Sequence, residues 1–243
     1  MSEVQDIVRS RDRDRYLSSL FAPDDRRADL LALYAFNAEV MRVRDAVSDP
    51  NIGLIRLQWW RDTLESGAGG GHPVAEALLA AVDARGLPVQ ALIDLVTARE
   101  FDLFQDRMPG LTELEAYLGE THSRLIMMAA MILDRDGAPR ASEAAGLAGV
   151  AQGLALILGD PRHRDPFLPE GMDVPGAIAH ARKRLAEFEA LLPALPKSVL
   201  PAFLPVSLTG TYLNRIARAP DEMLTVSALK RQFVMWWTAR RWG

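Results

Sequence analysis

Apolar residues in this chain recur every third or fourth position and never in sustained alternation. That period lets an α-helix turn one stripe toward a core, and its persistence along the sequence argues for an all-α protein. The clearest case runs from Leu33 to Asp62. Leu33, Phe36, Val40, Val43 and Val47 make one helix face, and Arg42, Asp45 and Asp49 fall together on the neighbouring one. Asp49-Pro50 ends this helix, because proline disfavours the α conformation of the residue before it. Gly53 loosens the turn before a second amphipathic run, Leu54 to Leu64. The pair reads as a helical hairpin with a polar seam.

Other segments extend the pattern. Val4 to Leu20 contains Arg-Asp-Arg-Asp-Arg, which predicts a solvated helix face, and Pro23 with Asp24 and Asp25 marks a stop and a fresh helix start. Ser66 to Gly71 is a glycine-rich loop, without the preceding strand or the Gly-Lys-Ser/Thr that would make it a phosphate cradle. Val89 to Phe104 is helical, with Glu100, Asp102 and Asp106 on a solvated face beside Arg99 and Arg107. Thr112 and Glu115 have capping-box spacing ahead of a mostly apolar helix that continues through Leu133, read as the buried central helix of a bundle. His122 within it reads as a satisfied interior histidine, since no acid stands at relay or metal-ligand spacing. Ala141 to Leu158 is rich in small residues that permit close packing, and Pro161 stops it. Pro175 to Leu192 and Val206 to Arg218 give two later helices, the second with Tyr212 facing inward. The tail, Phe233 to Trp242, is aromatic and basic. It reads as a helix folding back on the core, with a membrane interface or a partner groove as the alternative.

Composition narrows the function classes. With 243 residues, 49% hydrophobic and 25% charged, residues 1–243 suit one large domain. The absence of cysteine removes disulfides, thiolate catalysis and cysteine metal sites, and fits a reducing compartment. A net charge of −4 argues against a nucleic-acid partner. No apolar stretch approaches about 18 residues and the first residues lack a cleavable signal pattern. The expectation is a cytoplasmic protein, with peripheral contact at the inner membrane left open.

LYAFNAEV, followed by an acidic helix face, a turn and RLQWWRDTLE, resembles the squalene/phytoene synthase family, whose helix at this place carries a DxxxD magnesium motif. The resemblance implies a single-domain bundle of the isoprenoid (terpenoid) synthase type with a central cavity. In the register set by LYAF, the family's paired first aspartates fall on Met41 and Arg42, and only the last acid is kept, as Asp45. A literal D-x-x-x-D stands one turn later, at Asp45 and Asp49, although Asp49 before Pro50 also reads as an ordinary turn residue. AQGLALILGD, then basic residues, then FLP, resembles the family's second acidic segment. There Gln152 is kept, Leu156 takes the place of an asparagine, Asp160 fits the first acid and Arg164 replaces the second. Tyr117 to Ile126 resembles the pocket-lining helix, with Thr121, His122 and Ile126 where the family has smaller or apolar residues.

Prenyl transfer ionises an allylic diphosphate, so an active member needs magnesium, a hard ion with octahedral oxygen ligands. By resemblance the metal ligands would be Asp45, Asp49 and Asp160, and the pocket would add Arg42, Tyr117, Gln152 and Arg164. Arg42 and the basic residues near Asp160 oppose a dication there and suit direct phosphate binding instead. No cofactor is expected, or magnesium if the protein is catalytic. AFN-E-V and GL-R-Q-W resemble the branch of the family that serves respiratory complex I assembly, which has an eroded site. Three readings follow. The preferred one is a non-catalytic or weakly active member that binds a prenyl diphosphate or lipid-like ligand, or a respiratory complex subunit. The others are a working head-to-head prenyl transferase, with squalene or phytoene synthase activity, and a helical scaffold without a small-molecule site.

Overall fold

A computed structural model describes residues 3–104 and 106–242, and among them every regular element is a helix. The α-helices in chain order are α1 (Glu3–Arg11), α2 (Arg13–Ser19), α3 (Asp24–Ala46), α4 (Pro50–Ser66), α5 (Pro73–Arg85), α6 (Val89–Ala98), α7 (Leu111–Leu118), α8 (Arg124–Leu133), α9 (Ser142–Leu158), α10 (Val174–Leu191), α11 (Thr209–Arg218) and α12 (Ala228–Trp242).

The hairpin read from the sequence is α3 and α4. Asp24 and Asp25 sit in the first turn of α3, where carboxylates suit the helix dipole. That helix ends at Ala46, before Asp49: Val47 is already extended. Asp49 is therefore the N-cap of α4, its carboxylate accepting from the Asn51 amide at 2.9 Å, with Pro50 in the permitted first position. The expectation that Asp45 and Asp49 share one helix face fails for this reason.

Other boundaries moved as well. The run from Val89 turns into a 3-10 segment at Arg99–Leu103, and this tightening carries Asp102 inward from its expected solvated face. Helix α7 starts at Leu111 without a side-chain cap. Glu115 instead clips α7 to α10, accepting from Arg184 Nε at 2.6 Å and lying 2.8 Å from His180 Nε2. The central helix is split by a π-helical segment, Gly119–Ser123, between α7 and α8.

Apolar side chains form two core clusters. One gathers α3, α5 and α8 around Tyr34, Phe36, Leu78 and Ile132. The other gathers α7, α9, α10 and α11 around Leu114, Leu154, Ile178 and Ile216. Helix α9 packs against the π-helical segment, α8, α10 and α11. Against expectation, the stretch Ala138–Leu158 is long and apolar enough to cross a membrane by length and composition, with mean hydropathy 1.4. Since 67% of that window is buried among the other helices, it serves here as a core helix.

Candidate functional site

A cleft of about 560 Å³ opens between the break of α1 and α2, the last two turns of α3, the end of α9 and the approach to α12. Met41, Arg42 and Asp45 line it from α3, Gln152 and Leu156 from α9, and Asp160 from the loop beyond. The structure thus brings together four of the expected site residues, Arg42, Asp45, Gln152 and Asp160. It leaves three elsewhere. Asp49 caps α4, Tyr117 lies in the interior, and Arg164 is held by the Pro220 carbonyl and, at 2.8 Å, by Asp221.

Arg11, Asp12, Arg13, Asp14 and Arg15 also line this cleft; Arg11 and Arg13 are exposed, as a solvated face requires, and the burial of Arg15 is the departure from that reading. The chain breaks at Asp12, whose carboxylate caps α2 through the Arg15 amide and takes Arg15 Nη1 at 2.6 Å. Arg15 is buried, reaches Gln152 Oε1 at 3.4 Å and lies over the Tyr34 ring at 5.9 Å. Asp14 accepts from the Tyr212 hydroxyl and pairs with Arg231 of α12 at 3.4 Å. Burial raises the Asp14 carboxyl above its usual value, opposed by those two partners. An aspartate flanked by arginines is a usable N-cap signal at Asp12, but nothing local in the sequence marks Arg231 as a cleft residue.

Charge in the cleft runs against a metal cluster. Six guanidinium groups line it against four carboxylates. Asp160 is occupied: Arg162 donates to both of its oxygens at 2.9 Å, and His163 Nδ1 lies 3.1 Å away. Those hydrogen bonds, from Arg162 first, hold the Asp160 carboxyl well below its usual range, and Arg162 is itself raised by Asp160 and by nearby Asp45. Arg44 Nε meets Asp45 at 3.2 Å. Among the described residues no three His, Asp or Glu side chains cluster as ligands. The donor set does not fit the trinuclear oxygen-ligated magnesium of a diphosphate-ionising site.

Asp160 also sets a pH dependence. Its folded pKa is depressed, so its stabilisation is complete above the unfolded value of about 3.9 and is lost as pH falls below it. Asp160→Asn is expected to unfold at a less acid-sensitive temperature than wild type when thermal midpoints at neutral pH are compared with those below about pH 4. Equal acid sensitivity in the two proteins would refute the Arg162 clamp.

A polar cluster also lies within the largely apolar interior. Arg99 Nη1 donates to the Tyr117 hydroxyl at 2.7 Å and to Asp102 at 3.2 Å, and Tyr117 donates to Asp102 at 2.5 Å. Arg99 is 5% exposed. His122 is buried and its Nδ1 has no hydrogen-bond partner, which corrects the expectation of a satisfied histidine. Burial, reinforced by Arg99 and Arg15, pushes its pKa well down, so the ring is neutral. A Cβ on Gly153 of α9 would lie 2.6 Å from the His122 ring, so imidazole and glycine interlock. Ile126 is buried in the first core cluster.

Comparison with known proteins agrees with this architecture. The family model described as squalene/phytoene synthase matches residues 8–165. The human protein named NADH dehydrogenase (ubiquinone) complex I, assembly factor 6 is 36% identical over 176 residues, which are 70% of this chain and 52% of that one, so the chain matches about half of that relative's length. The bovine protein of the same name is 27% identical over 259 residues, covering 95% of this chain and 78% of the relative. Among solved structures, a dehydrosqualene synthase in complex with ligand superimposes with TM-score 0.76 at 17% identity, covering 98% of this chain and 94% of that one. Squalene synthase HpnC from Alicyclobacillus acidocaldarius gives TM-score 0.70 at 17% identity, with 91% and 94% covered. At these identities the structures establish the fold alone. With the family model matched over well more than half of its length, the chain belongs to the squalene/phytoene synthase family.

Proposed function

We propose that this protein is a non-catalytic member of its family that acts in assembly of a respiratory complex I-type enzyme through contact with a protein subunit. It keeps the cleft as a metal-independent site for a diphosphate-bearing or lipid-like anion. The carrying observation is the excess of guanidinium groups over carboxylates in the cleft: Met41 and Arg42 stand on α3 ahead of Asp45, and Asp160 is clamped by Arg162 and His163. A dication entering there meets permanent cations, whereas phosphate oxygens meet paired N–H donors of matching geometry. The named relatives support the assembly role.

Calorimetric titration with farnesyl and geranylgeranyl diphosphate, with and without magnesium, tests the cleft. Binding is expected to survive chelation and to weaken by about tenfold or more in Arg42→Glu, the scale of losing a charge-assisted hydrogen bond. Binding that requires magnesium and vanishes in an Asp45→Ala, Asp160→Ala double variant, with turnover to a condensed product, would overturn the proposal. The assembly role is tested by deleting the protein from its cell of origin. Accumulation of incomplete complex I is expected, restored by the Asp45→Ala, Asp160→Ala protein.

A further inference from the structure

Helix α12 faces two ways. Toward the protein it buries Met235 completely, sets Trp242 edge-on to Phe188 at 6.5 Å and brings Arg231 to Asp14. The opposite side is uncovered. Leu229, Phe233, Trp236 and Trp237 recur there at the spacing of one helix face and are 80%, 62%, 43% and 59% exposed. Their rings adjoin one another, with centroids 6.4 Å apart for Phe233–Trp237 and 6.5 Å for Trp236–Trp237, and Arg240 lies 4.7 Å over the Trp236 ring. Lys230 and Arg241, both exposed, border this row on one side. The helix carries four cationic residues and no acidic one, in a chain whose net charge is −4.

We propose that α12 docks the protein onto an anionic phospholipid surface. The aromatic row would enter the boundary between headgroups and acyl chains, and Lys230, Arg240 and Arg241 would lie among the lipid phosphates. Tryptophan suits that depth because its ring is apolar and its N–H still reaches a polar partner. An exposed row of four large apolar side chains is uncommon on a protein that stays in water. Charge selects the occupant. Pairing with the same face of a second copy would set cations against cations, whereas an anionic bilayer offers negative charge and apolar depth together. This inference does not rest on the ligand reading of the cleft.

Flotation of the intact protein with vesicles tests it. Vesicles of phosphatidylcholine and phosphatidylglycerol in equal parts are expected to carry the protein, and phosphatidylcholine alone to bind about tenfold more weakly, since each surface cation adds to anionic binding. High salt should reduce the difference. Phe233→Ser with Trp237→Ser should abolish flotation while leaving the thermal midpoint unchanged, because both side chains are outside the core. Lys230→Glu with Arg241→Glu should remove the preference for anionic vesicles. Trp59→Ser, an exposed tryptophan on α4, should bind as wild type does. Failure of the wild-type protein to float with anionic vesicles, or retained flotation in the folded Phe233→Ser, Trp237→Ser variant, overturns the proposal. So does a dimer in sedimentation that this variant dissolves without any vesicle binding, which would assign the face to a second copy.

Discussion

Methionine in place of Arg99 is expected to lower the unfolding free energy by about 3–5 kcal/mol, the cost of stranding one partner of a buried ion pair. Arg99 and Asp102 have side chains only 5% and 6% exposed, and Tyr117 bonds to both. Removing the guanidinium leaves the Asp102 carboxylate, whose side chain is 6% exposed, with the Tyr117 hydroxyl as its remaining side-chain donor. It also removes the cation that lies 5.6 Å from the Tyr117 ring centroid. Urea unfolding measures the loss, and a thermal scan should fall by about 2–4 °C for each kcal/mol in a chain of this size. The double variant Arg99→Met, Asp102→Asn should recover much of the deficit, because it removes both charges together. A loss below about 1 kcal/mol in the single variant would mean that water reaches the pair and that the interior is less dry than its burial indicates.

A second large effect is expected where two helical segments touch backbone to backbone. A Cβ on Gly149 of α9 would lie 2.3 Å from the Ser123 amide nitrogen and 2.4 Å from its Cα. Those atoms belong to the π-helical segment and cannot turn aside as a side-chain tip would. Gly149→Ala is therefore expected to destabilise by about 1–3 kcal/mol or more through overpacking. Gly146 lies one turn earlier in α9, and a Cβ there meets nothing within 4 Å. Gly146→Ala should instead stabilise by about 0.5–1 kcal/mol, because glycine loses more backbone freedom in a helix than alanine does. Opposite signs for two identical substitutions in one helix, read by urea unfolding, would establish that contact. Equal signs would refute it.

The helical bundle was legible because its signal is local and repeated. Helices α4, α9, α10 and α11 lie within a few residues of where periodicity, proline and glycine placed them. Loss of the first acidic pair was legible for a similar reason, since Met41 and Arg42 follow from their distance to LYAF and both line the cleft. The limits are as instructive. Asp45 and Asp49 have helical spacing, yet α3 ends between them. Asp102 sits among charged neighbours that read as a wet face, and a change from α to 3-10 geometry turns it inward. The run at 11–15 has the composition of a solvated helix, but a cap at Asp12 breaks it and carries Arg15 into the interior.

The sequence by itself determined the all-α class, the helical hairpin, the family resemblance and the departures from the acidic motifs that the resemblance implies. Each of these depends on residue identity at short spacing, which the chain carries along its own length. Only the tertiary structure decided which charges share the cleft, which are buried behind it and which face of α12 is left bare. Arg15 meets Gln152 across 137 positions and Asp14 meets Tyr212 across 198. Such contacts are set by how helices pack, and the burial that gives each charge its energy is a property of the whole fold.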